Sequence, residues 1–311
     1  MNYEFTFQMF ATEIALVIGA LLVLAVDLAL LRGKPHGVRV GVATAIGLFA
    51  VLAAGWESFG VNQFVLSRGY EPIVASFLSG HFLGSGRFIL NAKLVALALG
   101  ALTLLLIAGT SRLKNPAEHV ALTLFALAGI TLMCAAQNLL VIFLALELAS
   151  LSLYILAGFD KTRPESAEAG LKYFLYGGTA AAFLLFGFSL LYGLTGEIHL
   201  PLIATKLATL PTSPLLVVAL VMVLVGFGYK AAAAPFHLWA PDAYQGAPVT
   251  SAALIASASK VGGLVLLARF LIAASEGKEE WRGEYFISKW TPHSGWFVVL
   301  AVLIVASLLL G

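Results

Sequence analysis

Residues 221–248 read VMVLVGFGYKAAAAPFHLWAPDAYQGAP. The stretch begins as an apolar run, places Lys230 inside it, follows with four alanines, and then introduces Pro235. Pro235 has no N–H and its ring clashes with the carbonyl of Ala231, so a helix through this run breaks or kinks between the lysine and the proline. A broken helix at membrane depth is tolerated only where protein or a water-filled cavity covers the freed backbone. The half-helix ending near Lys230 presents carbonyls, the negative end of its dipole, and these favour a cation. Transporters build their sites on such interrupted helices. Lysine is also a base that gives up its proton more readily when desolvated. A snorkelling lysine beside an incidental proline kink is the bland alternative.

The rest of the chain supplies the setting. Of 311 residues, 60% are hydrophobic and 11% charged, with mean hydropathy +0.97. A soluble domain carries about 25% charged residues. This composition cannot cover a water-exposed surface, so the chain reads as an all-α integral membrane protein. The net charge of +2 says little about partners, and nothing points to nucleic acid. The single cysteine, Cys134, excludes an internal disulfide and a Cys-ligated iron–sulfur cluster. The six histidines lack ligand spacing, so no metal site is expected.

Runs of about 20 apolar residues predict about nine spans, over 11–32, 38–58, 86–110, 117–135, 138–159, 165–193, 213–236, 248–273 and 294–311. The glycine-rich segment 60–85 reads as an ordered surface loop. MNYEFTFQMF has no basic n-region, so the first apolar run reads as an anchor rather than a cleaved signal. The connections holding Arg32, Lys34 and Arg39, Arg112 and Lys114, and Lys161 and Arg163 are short and basic. The positive-inside bias places them in the cytoplasm and the N-terminus outside, in the periplasm. The mixed segment SEGKEEWRGEYFISKW lies on the opposite side. The final run, WFVVLAVLIVASLLLG, stops without a polar tail, which predicts a C-terminally truncated fragment.

Charge at membrane depth costs roughly 2.5–3.5 kcal/mol on insertion scales, so depth along each helix sorts function from snorkelling. Glu147 lies near the middle of NLLVIFLALELASLSLYILAGF and shares a helical face with Ser150 and Tyr154. Mid-span carboxylates mark proton or ion paths, although a structural hydrogen bond in a bundle also accommodates one. Lys260 lies mid-span in SAALIASASKVGGLVLLARF, where Gly263 permits close helix approach. A structural pairing is its alternative. Lys172, in AGLKYFLYGG, is nearer a helix start, where snorkelling and function compete. Lys93 and Arg269 read as snorkelling groups near span ends. Glu13 and Asp27 read as helix-end groups or subunit contacts. His237 and Asp242 follow the break; a histidine there can relay protons or simply cap a loop. The match of GFGYKA to a dinucleotide fingerprint is set aside, because that motif needs a preceding strand and this one lies inside a membrane helix.

Together, GFGYKAAAAPFHLWAPDAYQGAPVTSAALIASASK, LALELASLSLYILAGF and AEAGLKYFLYGGTAAAFLLFGFSLLYGLTG resemble the proton-translocating, antiporter-like membrane subunits of bacterial NADH:quinone oxidoreductase, respiratory complex I. Within that family the chain is most similar to the N-type members, counterparts of mitochondrial NADH dehydrogenase subunit 2. PDAYQGAP and the SASK context of Lys260 carry that distinction. The resemblance implies one five-helix antiporter-like repeat over 117–274 with the broken helix near Lys230–Pro235. Residues 1–116 would be N-terminal spans and a long external loop, and 275–311 the start of a second, missing repeat. It also implies proton transfer through Glu147, Lys230 and Lys260, with Lys172 matching a further family lysine; His237 joins the candidate site by its position after the break. Quinone reduction elsewhere would change charge or hydration near Glu147 and so drive the lysines. NADH, FMN, iron–sulfur clusters and quinone would be held by other subunits, with no cofactor in this chain. Other membrane subunits of the complex would be its partners, in the bacterial inner membrane. A subunit of a multi-subunit cation/proton antiporter and a non-pumping structural subunit are the competing readings.

Overall fold

The structure is a computed structural model that describes residues 7–67, 83–110, 113–207 and 213–275, with 305 and 307–309. Its helices are α1 (Ala11–Leu30), α2 (His36–Ser67), α3 (Arg87–Ala108), α4 (Pro116–Ala135), α5 (Leu139–Ala157), α6 (Pro164–Thr195), α7 (Leu200–Leu207), α8 (Pro214–Ala231), α9 (Ala240–Gly246), α10 (Val249–Ala256) and α11 (Ala258–Ser275). Among the described residues, eight segments are long and apolar enough to cross a membrane, α10 and α11 together forming the last. They correspond to the first eight expected spans. Most of the ninth, the loop over 68–82, Arg112 and nearly all of SEGKEEWRGEYFISKW lie outside the described residues.

Local chemistry sets the helix starts. Proline stands in the first turn of α4, α6 and α8, where a missing N–H costs nothing. Ser213 caps α8 by accepting from the Leu216 N–H at 3.2 Å. Asn138 caps α5 by accepting from the Leu140 N–H at 2.9 Å. Gly196 ends α6 with φ 67, a left-handed conformation that suits glycine.

Helix α4 is the hub, touching α1, α2, α3, α5 and α11. Leu124, Leu127, Ile130 and Met133 are fully buried along it. The outer faces instead carry exposed apolar side chains such as Phe49, Leu52, Trp56 and Phe186, as lipid- or subunit-facing surfaces require. Gly129 lets α4 lie directly against α5. A Cβ there would collide with the Ala149 backbone nitrogen and stand 2.9 Å from the Ala145 carbonyl oxygen. Backbone cannot move aside as a flexible side chain can, so Gly129→Val is expected to cost at least the ~1–3 kcal/mol typical of overpacking. A clear drop in the thermal unfolding midpoint in detergent is the expected result.

The two ends of the bundle differ. At one end, the His36 Nε2 meets the Leu113 carbonyl at 2.5 Å, and Lys114 and Asp160 interact electrostatically. The described parts of the three basic connections therefore gather on one face. There the Thr162 hydroxyl, at 2.6 Å, and then its N–H hold the exposed Asp160 carboxyl below the usual carboxylate range. At the other end, segments 83–86, 135–139 and 197–200 meet through Gly84 N–H to Ala135 O at 2.7 Å, Leu139 N–H to Ile198 O at 2.8 Å and Leu200 N–H to Gln137 O at 2.9 Å.

Three expectations need correction. The 60–85 loop begins later, because α2 continues to Ser67; Val61, Phe64 and Val65 keep helical spacing past Gly60, and Val65 is buried. The 248–273 span is interrupted at Ser257, whose φ −112 and ψ −87 separate α10 from α11. Lys93 and Arg269 do not snorkel. Lys93 is buried and donates to Glu13 at 2.8 Å. Arg269, also buried, donates to the Cys134 and Ala136 carbonyls, each at 2.8 Å, where the C-terminal end of α4 offers free acceptors. Glu13 is thus a helix-end group with a partner inside the chain. Asp27 likewise takes a two-pronged ion pair from Arg39 at 2.8 and 2.6 Å.

Candidate functional site at the helix break

Helix α8 ends at Ala231, and its cap Ala232 turns left-handed at φ 56 and ψ 40. Ala232 and Ala233 fold their N–H groups back onto Tyr229 and Gly228 carbonyls. The Ala234 N–H, which would have continued the helix by bonding to the Lys230 carbonyl, instead donates to Ser307 Oγ at 3.0 Å. The Lys230 carbonyl is thereby released, and Lys260 Nζ approaches it at 3.5 Å. A cation thus stands at the carbonyl end of the broken helix.

The same ammonium lies 4.4 Å from the centre of the Trp239 ring, a cation–π distance. Trp239 is almost fully buried, stacks on Tyr173 at 4.4 Å and 8°, and donates its indole N–H to the Tyr229 carbonyl at 3.2 Å. The Tyr229 hydroxyl donates to the Tyr173 carbonyl at 3.0 Å. The Tyr154 and Tyr229 hydroxyls both press against Gly177, where any Cβ would strike them. An aromatic wall from α5, α6, α8 and the turn after the break thus encloses the lysines.

Lys230 is 3% exposed. Its Nζ donates to Ser150 Oγ at 3.0 Å. Ser150 sits one helical turn from Glu147, and Glu147 and Lys230 interact electrostatically. Among the described residues the two make no ion pair within 4.0 Å, so Lys230 rests on the serine with the half-buried carboxylate next along the same face. Gly263 does what its position predicts. A Cβ there would stand 3.0 Å from Lys230 Cγ and 3.4 Å from its backbone, so α11 packs directly on the lysine.

Glu147, Lys230 and Lys260 are therefore brought together. Lys172 is not in this row. It is partly exposed and pairs with Glu168 at 2.7 Å and Asp242 at 2.8 Å, tying α6 to α9. Such exposed pairs contribute about 0–1 kcal/mol. His237 lies in the turn after the break, half-buried, with Nδ1 lacking a hydrogen-bond partner among the described residues. Sequence reasoning did not single out Tyr173, Tyr229 or Trp239. It also passed over His119, which is fully buried and meets Ser251 Oγ at 3.0 Å and Thr250 Oγ1 at 3.3 Å. Tyr229 and Trp239 stand close to the break in sequence, whereas Tyr173 lies in α6 and carried no such signal.

A polytopic helix bundle with lysines gathered at an interrupted helix defines the class: a multi-pass, all-α membrane protein with a broken helix. The family described as NADH:quinone oxidoreductase/Mrp antiporter, transmembrane, matches residues 136–292, half of the chain, and the chain belongs to that family. It is 40% identical over 328 residues to NADH-quinone oxidoreductase subunit N 2 of Acidobacterium capsulatum, covering 100% of this chain and 61% of that protein. A chain in respiratory complex I from Thermus thermophilus superimposes with TM-score 0.64 at 30% identity, covering 83% of this chain and 52% of the other. The membrane-bound sulfane sulfur reductase, an archaeal respiratory membrane complex, shares the fold with TM-score 0.74 at 24% identity, over 96% of this chain and 57% of the other. The chain thus spans little more than half the length of the relatives it matches.

Proposed function

We propose that the chain is a proton-translocating membrane subunit of an NADH:quinone oxidoreductase in the bacterial inner membrane. The carrying observation is the contact of Lys260 with the Lys230 carbonyl at the helix break, with Lys230 held on Ser150 one turn from Glu147. Protons are carried in this reading by exchange between charged and neutral lysine. When Glu147 draws Lys230 from Ser150 into an ion pair, the positive charge beside Lys260 moves away and Lys260 gains a proton more readily. When Lys230 returns, repulsion between like charges favours release from Lys260. His237, with a ring nitrogen unengaged among the described residues, is the next group able to pass a proton on, and Lys172 steadies the turn through Asp242. Other subunits of the complex hold NADH, FMN, the iron–sulfur clusters and quinone, and couple to this chain by changing charge near Glu147.

The test uses the full-length subunit in its assembled complex, reconstituted in proteoliposomes. Addition of NADH and quinone should acidify the side opposite the basic connections, without a sodium requirement. The second reading is a subunit of a multi-subunit cation/proton antiporter, favoured by the family's inclusion of Mrp antiporters. Sodium-dependent proton exchange with no response to NADH would select it.

The orientation is tested separately. With Cys134 replaced, single cysteines at Lys34 or Lys161 should react with an impermeant maleimide only after the membrane is opened. Labelling of either from outside intact cells would reverse the orientation and put the N-terminus in the cytoplasm.

A further inference from the structure

A second polar centre lies away from the helix break, where the N-terminal ends of α1 and α3 meet the end of α2. The Glu13–Lys93 ion pair there closes at 2.8 Å with both side chains only 8% exposed. Taking two charges out of water costs several kcal/mol per ion, and their attraction offsets this only when their remaining hydrogen-bonding capacity is met. Within the described residues it is not met. Lys93 has one of three ammonium donors engaged, and Glu13 Oε2 is buried without a partner.

Beside Lys93 is a cavity of ≈ 20 Å³, lined by Met9, Thr12, Asn62, Ser85 and others. A water needs roughly 10–15 Å³ of such space and two to four polar partners. Both kinds of partner are present. Ser58 Oγ donates to the Ala54 carbonyl at 2.9 Å. The Thr12 hydroxyl, 2.8 Å from Ser58 Oγ, must therefore donate to it, leaving the Thr12 oxygen free to accept. Among the described residues, Ser85 Oγ is buried without a partner. The Asn62 side chain is buried at 8% exposure. Lys93 supplies the donor.

We propose that this cavity is a binding site for one water molecule, held by Lys93, Asn62, Ser85 and Thr12, which hydrates the Glu13–Lys93 pair. The site is separate from Glu147, Lys230 and Lys260 and stands whether or not those residues carry protons. It explains how an ion pair is kept inside a helix bundle at this end.

X-ray hydroxyl-radical footprinting of the assembled complex in heavy-oxygen water tests the proposal, because radicals formed from a bound water label the nearest side chain. Met9 lines the cavity at 3% exposure, and Met133, fully buried outside the cavity lining, is the internal control. Met9 should acquire heavy-oxygen sulfoxide rapidly while Met133 stays unlabelled. Asn62→Leu, which fills the cavity, should remove the Met9 label. Ser85→Ala should reduce it, and it provides the same readout if the leucine variant does not assemble. A Met9 as inert as Met133 in the native complex would overturn the site. So would a label that persists undiminished in the variants, since that would mean general exposure of the N-terminal turn.

Discussion

Glu147→Gln is expected to remove most proton translocation from the full-length assembled complex, Glu147→Asp to keep part of it, and Lys230→Met to be as damaging as the glutamine variant. Each single change leaves one charge in the bundle without its counterpart. Without the carboxylate nothing draws Lys230 from Ser150, and a loss of roughly tenfold or more in translocation, about 1.4 kcal/mol per factor of ten, is expected. The structure sharpens the expectation, because Lys230 is not locked on Glu147. It sits on Ser150, one turn away, at 3.0 Å. In the proposed mechanism the pair opens and closes as the lysine moves between Ser150 and Glu147. A double-mutant cycle then reads the coupling. If the two act as a unit, the Glu147→Gln/Lys230→Met protein is little worse than either single variant. Losses that add on a logarithmic scale would leave two unrelated polar groups and remove the pair from the proposed mechanism.

Lys260 separates charge from proton exchange. Lys260→Ala removes the ammonium from the Lys230 carbonyl and from Trp239, and pumping should fall severely while the complex still assembles. Lys260→Arg restores a cation that can bond the carbonyl and stack on the indole. Arginine effectively never deprotonates in proteins, so it should recover stability without recovering pumping. Proton uptake by proteoliposomes, measured beside the thermal unfolding midpoint, distinguishes the two effects. Full pumping in both variants would assign Lys260 a structural role at the helix end.

The break at Lys230–Pro235 was legible because proline acts on the backbone wherever it stands. A mid-helix charge ahead of it has few cheap explanations. Glu147 and Ser150 were legible through helical spacing. The second discontinuity was not. VTSAALIASASK contains neither proline nor glycine, and the turn at Ser257 is supported by its hydroxyl bonding back to the Ala253 carbonyl at 2.5 Å, a local competition that serines make only in the right surroundings. Lys93 and Arg269 were misjudged for a different reason. Sequence gives a residue's depth along its helix, whereas burial depends on which way round the helix it faces. The partners that decide this are remote: Lys93 meets Glu13 80 positions away, and Arg269 reaches carbonyls more than a hundred residues earlier. The stacking of Tyr173 on Trp239 is equally long-range, since helical period shows which face is aromatic but not what it meets.

That stack bears on how fast the proposed proton relay could run. An interrupted helix invites comparison with a hinge, whose swings take microseconds to milliseconds. Here the segment after the break is pinned by an indole that is flat against Tyr173 and bonded to the Tyr229 carbonyl, so the backbone has nowhere to swing without tearing both contacts. The lysine arms are the remaining movable parts, and Lys230 is itself packed, 3% exposed with α11 against its Cγ. Rotations of exposed side chains occur in picoseconds to nanoseconds, and close packing slows them. In the proposed mechanism the tempo is set by how often this packed arm leaves Ser150, rather than by any flexing of the helix that carries it.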